Sequence, residues 1–546
     1  MVENGAVQTR RSFLKSAGVV LAGATALGVT GCAAQGAQDS QGTTKQKVSW
    51  DEEYDAIIVG AGAAGLATAL TVATEGGETT ALLLEKSSVE SGGGNSQFSS
   101  GMCIFTEQLD NFYEYLKELR GEFTSTPDEV LKAFAVGLSE NYTWLKDMGA
   151  KEEDLLYIEN FEWKELPHSQ THKIVYFNPK NETGPKHLVF FLLDKIKEYP
   201  ERIFEKTESQ LVDLVQDPES KTILGVVYTQ KGKTIYAKAK KGVVMTCGGF
   251  ESDATMKQDY LSMPISHAAA GISNTGDGHR ICSRIGADFW HMNSFAGPWT
   301  NGVALDGSKM LPYRGLRKAQ GITVGINGRR FYMDWEGSTM FEADIKQGDD
   351  LSLRYGCRHG AQNFGGDYAH LPLPSTTWFV FDATGLANGA YLGSKTGSVT
   401  SQNSKNSNNA ADPVADGFAY KADTIEELAS QMGVPVGELA KTVVVWNESC
   451  ANGEDEYFHR PGSVLQPIIQ APFYAVKCVP EVLNTDGGPR RGPAAEIIDT
   501  YGNPIPHLYS AGEFGSVWMN KYEGAGNIAE CCAFGRIAAR SVLENN

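Results

Sequence analysis

An α/β fold organised around a strand–turn–helix nucleotide site is what the sequence predicts, on three observations. Ala56–Val59 is a short apolar run suited to a buried parallel strand. Gly60-x-Gly62-x-x-Gly65 follows at once and opens onto the helical pattern Leu66–Val72. Ala81–Leu84 then makes a second strand that ends in Glu85, 20 residues past Gly65.

Each part has a physical reason. The first glycine permits the tight turn, the second lets backbone approach a pyrophosphate, and the third lets helix and strand pack closely. The phosphates would rest on the unsatisfied N–H groups of the helix N-terminus. Glu85 would grip a pair of ribose hydroxyls. A glycine triplet alone is weak, but its place between strand and helix with an acid at this spacing marks a dinucleotide.

Upstream, Thr9-Arg10-Arg11-Ser12-Phe13-Leu14-Lys15 follows the twin-arginine export pattern, and a modest apolar run from Ala17 to Val29 comes after it. That run is too short and too glycine-rich to span a bilayer. Val29-Thr30-Gly31-Cys32 resembles a lipobox, which would acylate Cys32 and tether the protein to a membrane. Residues 1–32 are therefore read as signal and 33–50 as a polar tether. The twin-arginine route carries folded proteins, which suits a cofactor loaded before export.

About 500 residues remain, enough for two domains. A net charge of −18 without a basic run argues against nucleic acid as a partner. The nine cysteines show no CxxC, haem-attachment or zinc spacing. Adjacent Cys531 and Cys532 read as buried thiols in a helix. Thr126 is expected to cap a helix with Pro127 in its first position and with Leu131, Phe134, Leu138, Tyr142 and Leu145 as its core face. Residues 221–246 alternate as hairpin strands, and 398–412 read as a polar loop.

The loop "SGGGNSQFSSG", residues 91–101, carries a more specific signal. With the preceding Glu85-Lys86 it resembles the flavoprotein family of soluble fumarate reductases and 3-ketosteroid dehydrogenases, in their E-K-…-G-G-N-S-…-S-G pattern. The resemblance continues through 241–253, 274–289, 423–434, 443–461 and 503–515. It implies a Rossmann-like FAD-binding domain split by an inserted α+β capping domain: 51–290, then the cap at 291–480, then 481–546. It also implies that Gly60, Gly62, Ala64, Gly65, Glu85, Asn95, Ser96, Gly101, Val212, Asp277, Asn484, Glu513, Asn527 and Ile528 contact FAD. Substrate would lie between cap and flavin, since pockets favour domain interfaces.

Members of this family move a hydride between the flavin and a carbon of a polarised double bond. The fumarate reductases hold their dicarboxylate with histidines and arginines, and this chain departs from them at four such places. Pro298, Ser338, Leu483 with Asn484, and Glu523 stand where those residues are expected. An acid at 523 would repel a dicarboxylate. The ketosteroid branch fits better: Ser516-Val517-Trp518-Met519-Asn520-Lys521-Tyr522-Glu523-Gly524-Ala525-Gly526 is similar to its S-V-M-G-x-x-Y-x-G-x-G. There the tyrosine hydroxyl and the last glycine N–H bind a keto oxygen, which implies that role for Tyr522 and Gly526. Gly526 would begin a helix over Asn527–Ala538 whose free N–H groups favour an oxyanion.

The expected activity is reduction of an activated C=C bond of a small neutral or weakly acidic acceptor, such as a steroid-like enone or a phenolic. Tyr332 and Tyr368 are candidate proton donors, and a membrane cytochrome or quinol is the expected electron source. Two alternatives stand beside it. One is a reductase of cinnamate- or urocanate-like acids, held by Arg314 or Arg354; the other is a non-catalytic lipoprotein that keeps FAD.

Overall fold

The computed structural model describes residues 48–88, 92–159, 162–178, 187–312, 315–335, 357–365, 367–393, 412–519 and 521–545. The twin-arginine segment, Cys32, Arg314, Ser338, Arg354 and the loop at 398–411 lie outside them. Among the described residues no helix is long and apolar enough to cross a membrane.

The strand Glu52–Val59 stands at the centre of an eight-stranded sheet. It pairs in parallel with Ala81–Leu84 on one side and Lys233–Met245 on the other, Ala56 facing Ala81 and Gly242. Both of its faces are covered, which is why its second half is continuously apolar: Ala56, Ile57 and Ile58 are fully buried. One face takes the helix Ala63–Glu75 and the C-terminal helix Gly526–Glu544. Gly65 and Gly535 allow this approach, since a Cβ on Gly65 would lie 1.9 Å from the Gly60 carbonyl oxygen and one on Gly535 2.8 Å from that of Ala64. The other face packs on the hairpins from Ser209 to Met245 and on the helix Asp277–Arg284.

The hairpin expected at 221–246 is present as Ile223–Gln230 against Lys233–Met245. Its two-residue turn, Lys231 and Gly232, has φ of 50° and 76°, the left-handed pair that matches strand twist. After the insertion the chain returns through Pro504–Ser510, which joins the same sheet in parallel beside Lys233–Met245.

The inserted region is built on a six-stranded sheet. Its long strand Phe473–Thr485 pairs with Thr377–Asp382, Phe295–Gly302, Ala419–Ala422 and His267–Ala268. Residue 480, where the expected boundary fell, lies inside this strand, which continues to the polar residues 484–486. The helices Ile425–Met432 and Val436–Asn452 cover the sheet. Thr424 caps the first by accepting from the Glu427 N–H at 3.1 Å, and Gly433 ends it with φ 70°. A separate three-stranded sheet, Cys357–Arg358, Ala361–Phe364 and Asp367–Ala369, turns through His359 and Gly360 at φ 42° and 85°.

Three local expectations shift. The helix expected from Thr126 begins at Asp128 with Pro127 as its cap, because the Thr126 hydroxyl is engaged by His291 at 3.1 Å. On that helix Tyr142 is half-buried at the edge of the core: its ring stacks on Phe105 at 5.1 Å while its hydroxyl reaches outward to Glu152 at 2.9 Å. The C-terminal helix runs over Gly526–Glu544, longer than Asn527–Ala538, and carries Cys531 and Cys532 buried within it.

Candidate active site

The glycine turn opens on a cleft of about 780 Å³, the solvent at its open mouth included. Gly60 has φ +109°, and a Cβ there would meet the Thr246 carbonyl oxygen at 2.3 Å, so only glycine serves. Ser96 reaches the head of the first helix and accepts from the Ala63 N–H at 3.1 Å. Glu85 is fixed by two backbone donors, Ala61 at 3.0 Å and Ser87 at 2.8 Å. Across the cleft, Asp277 pairs with Lys86 at 2.9 Å. Burial opposes its ionisation, but Lys86 and Thr275 hold its carboxyl below the usual range.

Of the residues expected at the cofactor, Gly60, Gly62, Ala64, Glu85, Asn95, Ser96, Asp277 and Glu513 line this cleft. Gly65 lies beneath it as packing, and Gly101 stands aside, against His187. Val212 faces out, 44% exposed, while Leu211 faces in, as the two-residue period of a strand requires. Asn484, Asn527 and Ile528 are not on the cleft wall but beyond it, where the long cap strand meets the C-terminal helix. Sequence reading missed Thr246, Asn274, Cys247 and Cys531 on the cleft wall. The first three sit in the stretches 241–253 and 274–289, and the strand-end position of Thr246 was the available signal. Its hydroxyl ties the carbonyls of Val59 and Gly60, both at 2.9 Å.

Glu513 closes the cleft at its inner end. It accepts from Asn95 at 3.3 Å, Asn274 at 3.2 Å and the Thr485 N–H at 3.2 Å. Burial, reinforced by the neighbouring Glu251, pushes its carboxyl well above the ordinary range.

Beyond it lies Tyr522, buried, with its ring edge-on to Trp518 at 5.4 Å and to His359 at 4.9 Å. Its hydroxyl accepts from the Asn527 N–H at 3.2 Å, at the head of the C-terminal helix. The Gly526 N–H, expected to be free, is spent on the Glu523 carbonyl at 3.0 Å in the turn that starts the helix. Gly526 is needed instead for space, since a Cβ there would lie 2.4 Å from the Trp518 indole. His359 comes from the turn of the three-stranded sheet and is held by Glu162 at 2.8 Å, which also accepts from the Gly524 N–H at 2.9 Å. A polar chain runs from the helix head: Asn527 to Asn484 at 2.8 Å, Asn484 to Asp486 at 3.1 Å, and Asp486 to Ser294 at 2.7 Å. Burial pushes the Asp486 carboxyl up to about 8.

Glu523 does not act as the sequence suggested. Its carboxylate is buried and engaged by the Tyr115 hydroxyl, by the Glu162 N–H at 2.9 Å and by His172 at 3.4 Å. Repulsion by Glu523 therefore carries no weight against a dicarboxylate. Of the proposed proton donors, Tyr368 stands edge-on to Trp163 at 4.8 Å, and Trp163 donates to the Tyr522 carbonyl at 2.8 Å. Tyr332 is bonded to Thr300 at 3.1 Å, deeper in the cap.

A split α/β nucleotide domain with a cap over its inner end defines a flavin-type oxidoreductase. The chain belongs to the FAD binding domain family, whose sequence model matches residues 55–528. It is 26% identical to a digoxin reductase of Eggerthella lenta, over 98% of this chain and 96% of that one. It is also 26% identical to a probable fumarate reductase of Shewanella frigidimarina, over 92% of this chain and 79% of that one. A 3-ketosteroid Δ1-dehydrogenase structure from Sterolibacterium denitrificans shares the fold, with a TM-score of 0.68 at 20% identity, over 90% of this chain and 99% of that one.

The protein is thus an FAD-dependent oxidoreductase acting on CH–CH bonds. The residues fit the cofactor: glycines leave the helix head open, and an acid stands at the end of the second strand on the cleft wall.

Proposed function

We propose that the protein reduces the activated C=C bond of a small neutral acceptor, a steroid-like enone or a phenolic. It does so after export by the twin-arginine route and anchoring through Cys32, with electrons from a membrane cytochrome or quinol. The observation that carries this reading is the Tyr522 hydroxyl. It accepts from the Asn527 N–H, so its own proton is directed to a further acceptor. Burial pushes the ionisation of this phenol up, against the pull of the Asn527 N–H, so the proton is present at neutral pH. A neutral carbonyl oxygen is the natural recipient, and charge developing on it is drawn toward the positive end of the C-terminal helix.

The bound flavin supplies the hydride. Trp518 and His359 wall the tyrosine ring so that its hydroxyl keeps one direction, and Asn484 with Asn527 hold the head of the helix. The Arg-Arg pattern and Cys32 support export and anchoring. Without a haem-attachment motif of its own, the chain suits electrons delivered by another protein.

An anaerobic acceptor panel tests this. The dithionite-reduced holoprotein is mixed with cyclic enones, phenolic acrylates, fumarate and urocanate, and flavin reoxidation is followed. The reading expects neutral enones to reoxidise the flavin and fumarate to leave it reduced. Reoxidation by fumarate or urocanate alone would replace it with the carboxylate reading.

A further inference from the structure

Glu251, within the stretch 241–253, stands behind Glu513 at the inner end of the FAD cleft. It follows the strand Lys233–Met245 and is fully buried. Its Oε1 accepts from Asn95 Nδ2 at 2.6 Å, while Oε2 is buried without a hydrogen-bonding partner. Glu513 arrives from the other end of the chain. A Cβ built on Gly249 would lie 2.4 Å from Glu513 Oε1 and 2.6 Å from Glu251 Oε2, so the two carboxyl groups converge over one α-carbon.

The surroundings cannot neutralise two negative charges. Asn95, Asn274 and the Thr485 N–H are neutral donors. Asp486, just past Thr485, is itself held protonated up to about 8 and supplies no cation, and Cys531 is a buried thiol. The ammonium of Lys257 is drawn by Glu251 but is bonded to the Ser266 carbonyl at 2.8 Å, and burial lowers it to about 8. In a dry site, like charges this close hold a proton between them.

We propose that Glu251 and Glu513 share one proton and form a single acid pair at the inner end of the FAD cleft, with Glu513 lining the cleft and Glu251 behind it. Burial lifts both carboxyl groups above the ordinary carboxylate range, Glu513 further through Glu251. The sign follows. Below the titration of the pair the proton is present and FAD is held. As pH rises through it, a second negative charge appears beside the first at the inner end of the cleft, and FAD is released. Asp277, held below the usual range by Lys86, does not titrate in that window; Asp486 and Lys257, each near 8, do so in both the wild type and Glu251→Gln, and the difference between the two proteins reports the pair.

The test is FAD release from the diluted full-length holoprotein, followed by flavin fluorescence between about pH 6 and pH 9. The dissociation constant of the wild type should rise at least tenfold or so across that span, one pKa unit of linkage. Glu251→Gln leaves Glu513 as a lone carboxyl no longer lifted by a facing carboxylate, and should change clearly less over the same span, about threefold or under. A flat wild-type profile, or an equal slope in Glu251→Gln, overturns the proposal. If Glu251→Gln fails to load FAD, infrared difference spectra of the wild-type holoprotein decide. A protonated carboxylic acid band that disappears at high pH and survives in Asp486→Asn and in Glu481→Gln supports the pair, and no such band overturns it. Neither readout depends on which substrate is reduced.

Discussion

The two ends of the cofactor site are assembled in different ways. At the nucleotide end, Gly60, Gly62, Gly65 and Glu85 come from one strand–turn–helix–strand unit, and the backbone itself does most of the binding. At the Tyr522 end, the polar groups come from residues 162, 294, 359, 484–486 and 522–527, brought together by a cap strand, a cap hairpin and the C-terminal helix. Binding a diphosphate makes the same local demand in any protein, so it leaves a local mark. Choosing a substrate is done by long-range contacts, which leave none.

The largest test of this contrast is Gly60→Val. The added side chain needs φ near +109° and collides with the Thr246 carbonyl. Strain of this kind should cost at least about 3 kcal/mol and yield protein without flavin. Flavin absorbance per protein and a thermal melt check it; a yellow, stable variant would break the claim that the backbone turn is indispensable.

Asp486→Asn probes the other end. The carboxyl of Asp486 is pushed from the ordinary value near 4 up to about 8, mainly by burial. The folded protein keeps a proton that the unfolded chain releases, so stability should fall as pH rises from about 4 to 8 and level off above. The loss is on the order of a few kcal/mol, and part of it should vanish in Asp486→Asn. Urea midpoints at about pH 5 and pH 8.5 measure it. An unchanged decline in the variant would remove Asp486 from the account.

The smallest effect is the sharpest on register. Leu211→Ala should weaken FAD binding about tenfold, since it removes a buried wall of the cleft, whereas Val212→Ala should stay within about 0.5 kcal/mol. Equal effects would contradict the strand register.

Legibility follows the same division. The first strand, the glycine turn, the first helix and Glu85 were readable because their periodicity and spacing are local. The hairpin ending at Met245 was readable for the same reason. Thr126 misled because its hydroxyl has a distant partner, His291, which outcompetes the helix end. Val212 was displaced by a neighbour because face assignment in a strand turns on a single residue. Glu523 looked like a substrate-facing charge, yet Tyr115 and His172 enclose it from far upstream. His359 could not be found at all: it sits at a turn in a left-handed conformation, and its meaning comes only from Glu162 and Tyr522.

The most direct measurement of the central claim is anaerobic stopped-flow reoxidation of reduced Tyr522→Phe by a neutral enone that oxidises the wild type. The variant keeps the ring, its packing on Trp518 and His359, and the FAD cleft, and loses only the hydroxyl. The account predicts full flavin content with reoxidation slowed by roughly 10²–10³-fold, the effect of removing one preorganised donor. Reoxidation at the wild-type rate would show that Tyr522 is packing and that the acceptor oxygen is polarised elsewhere.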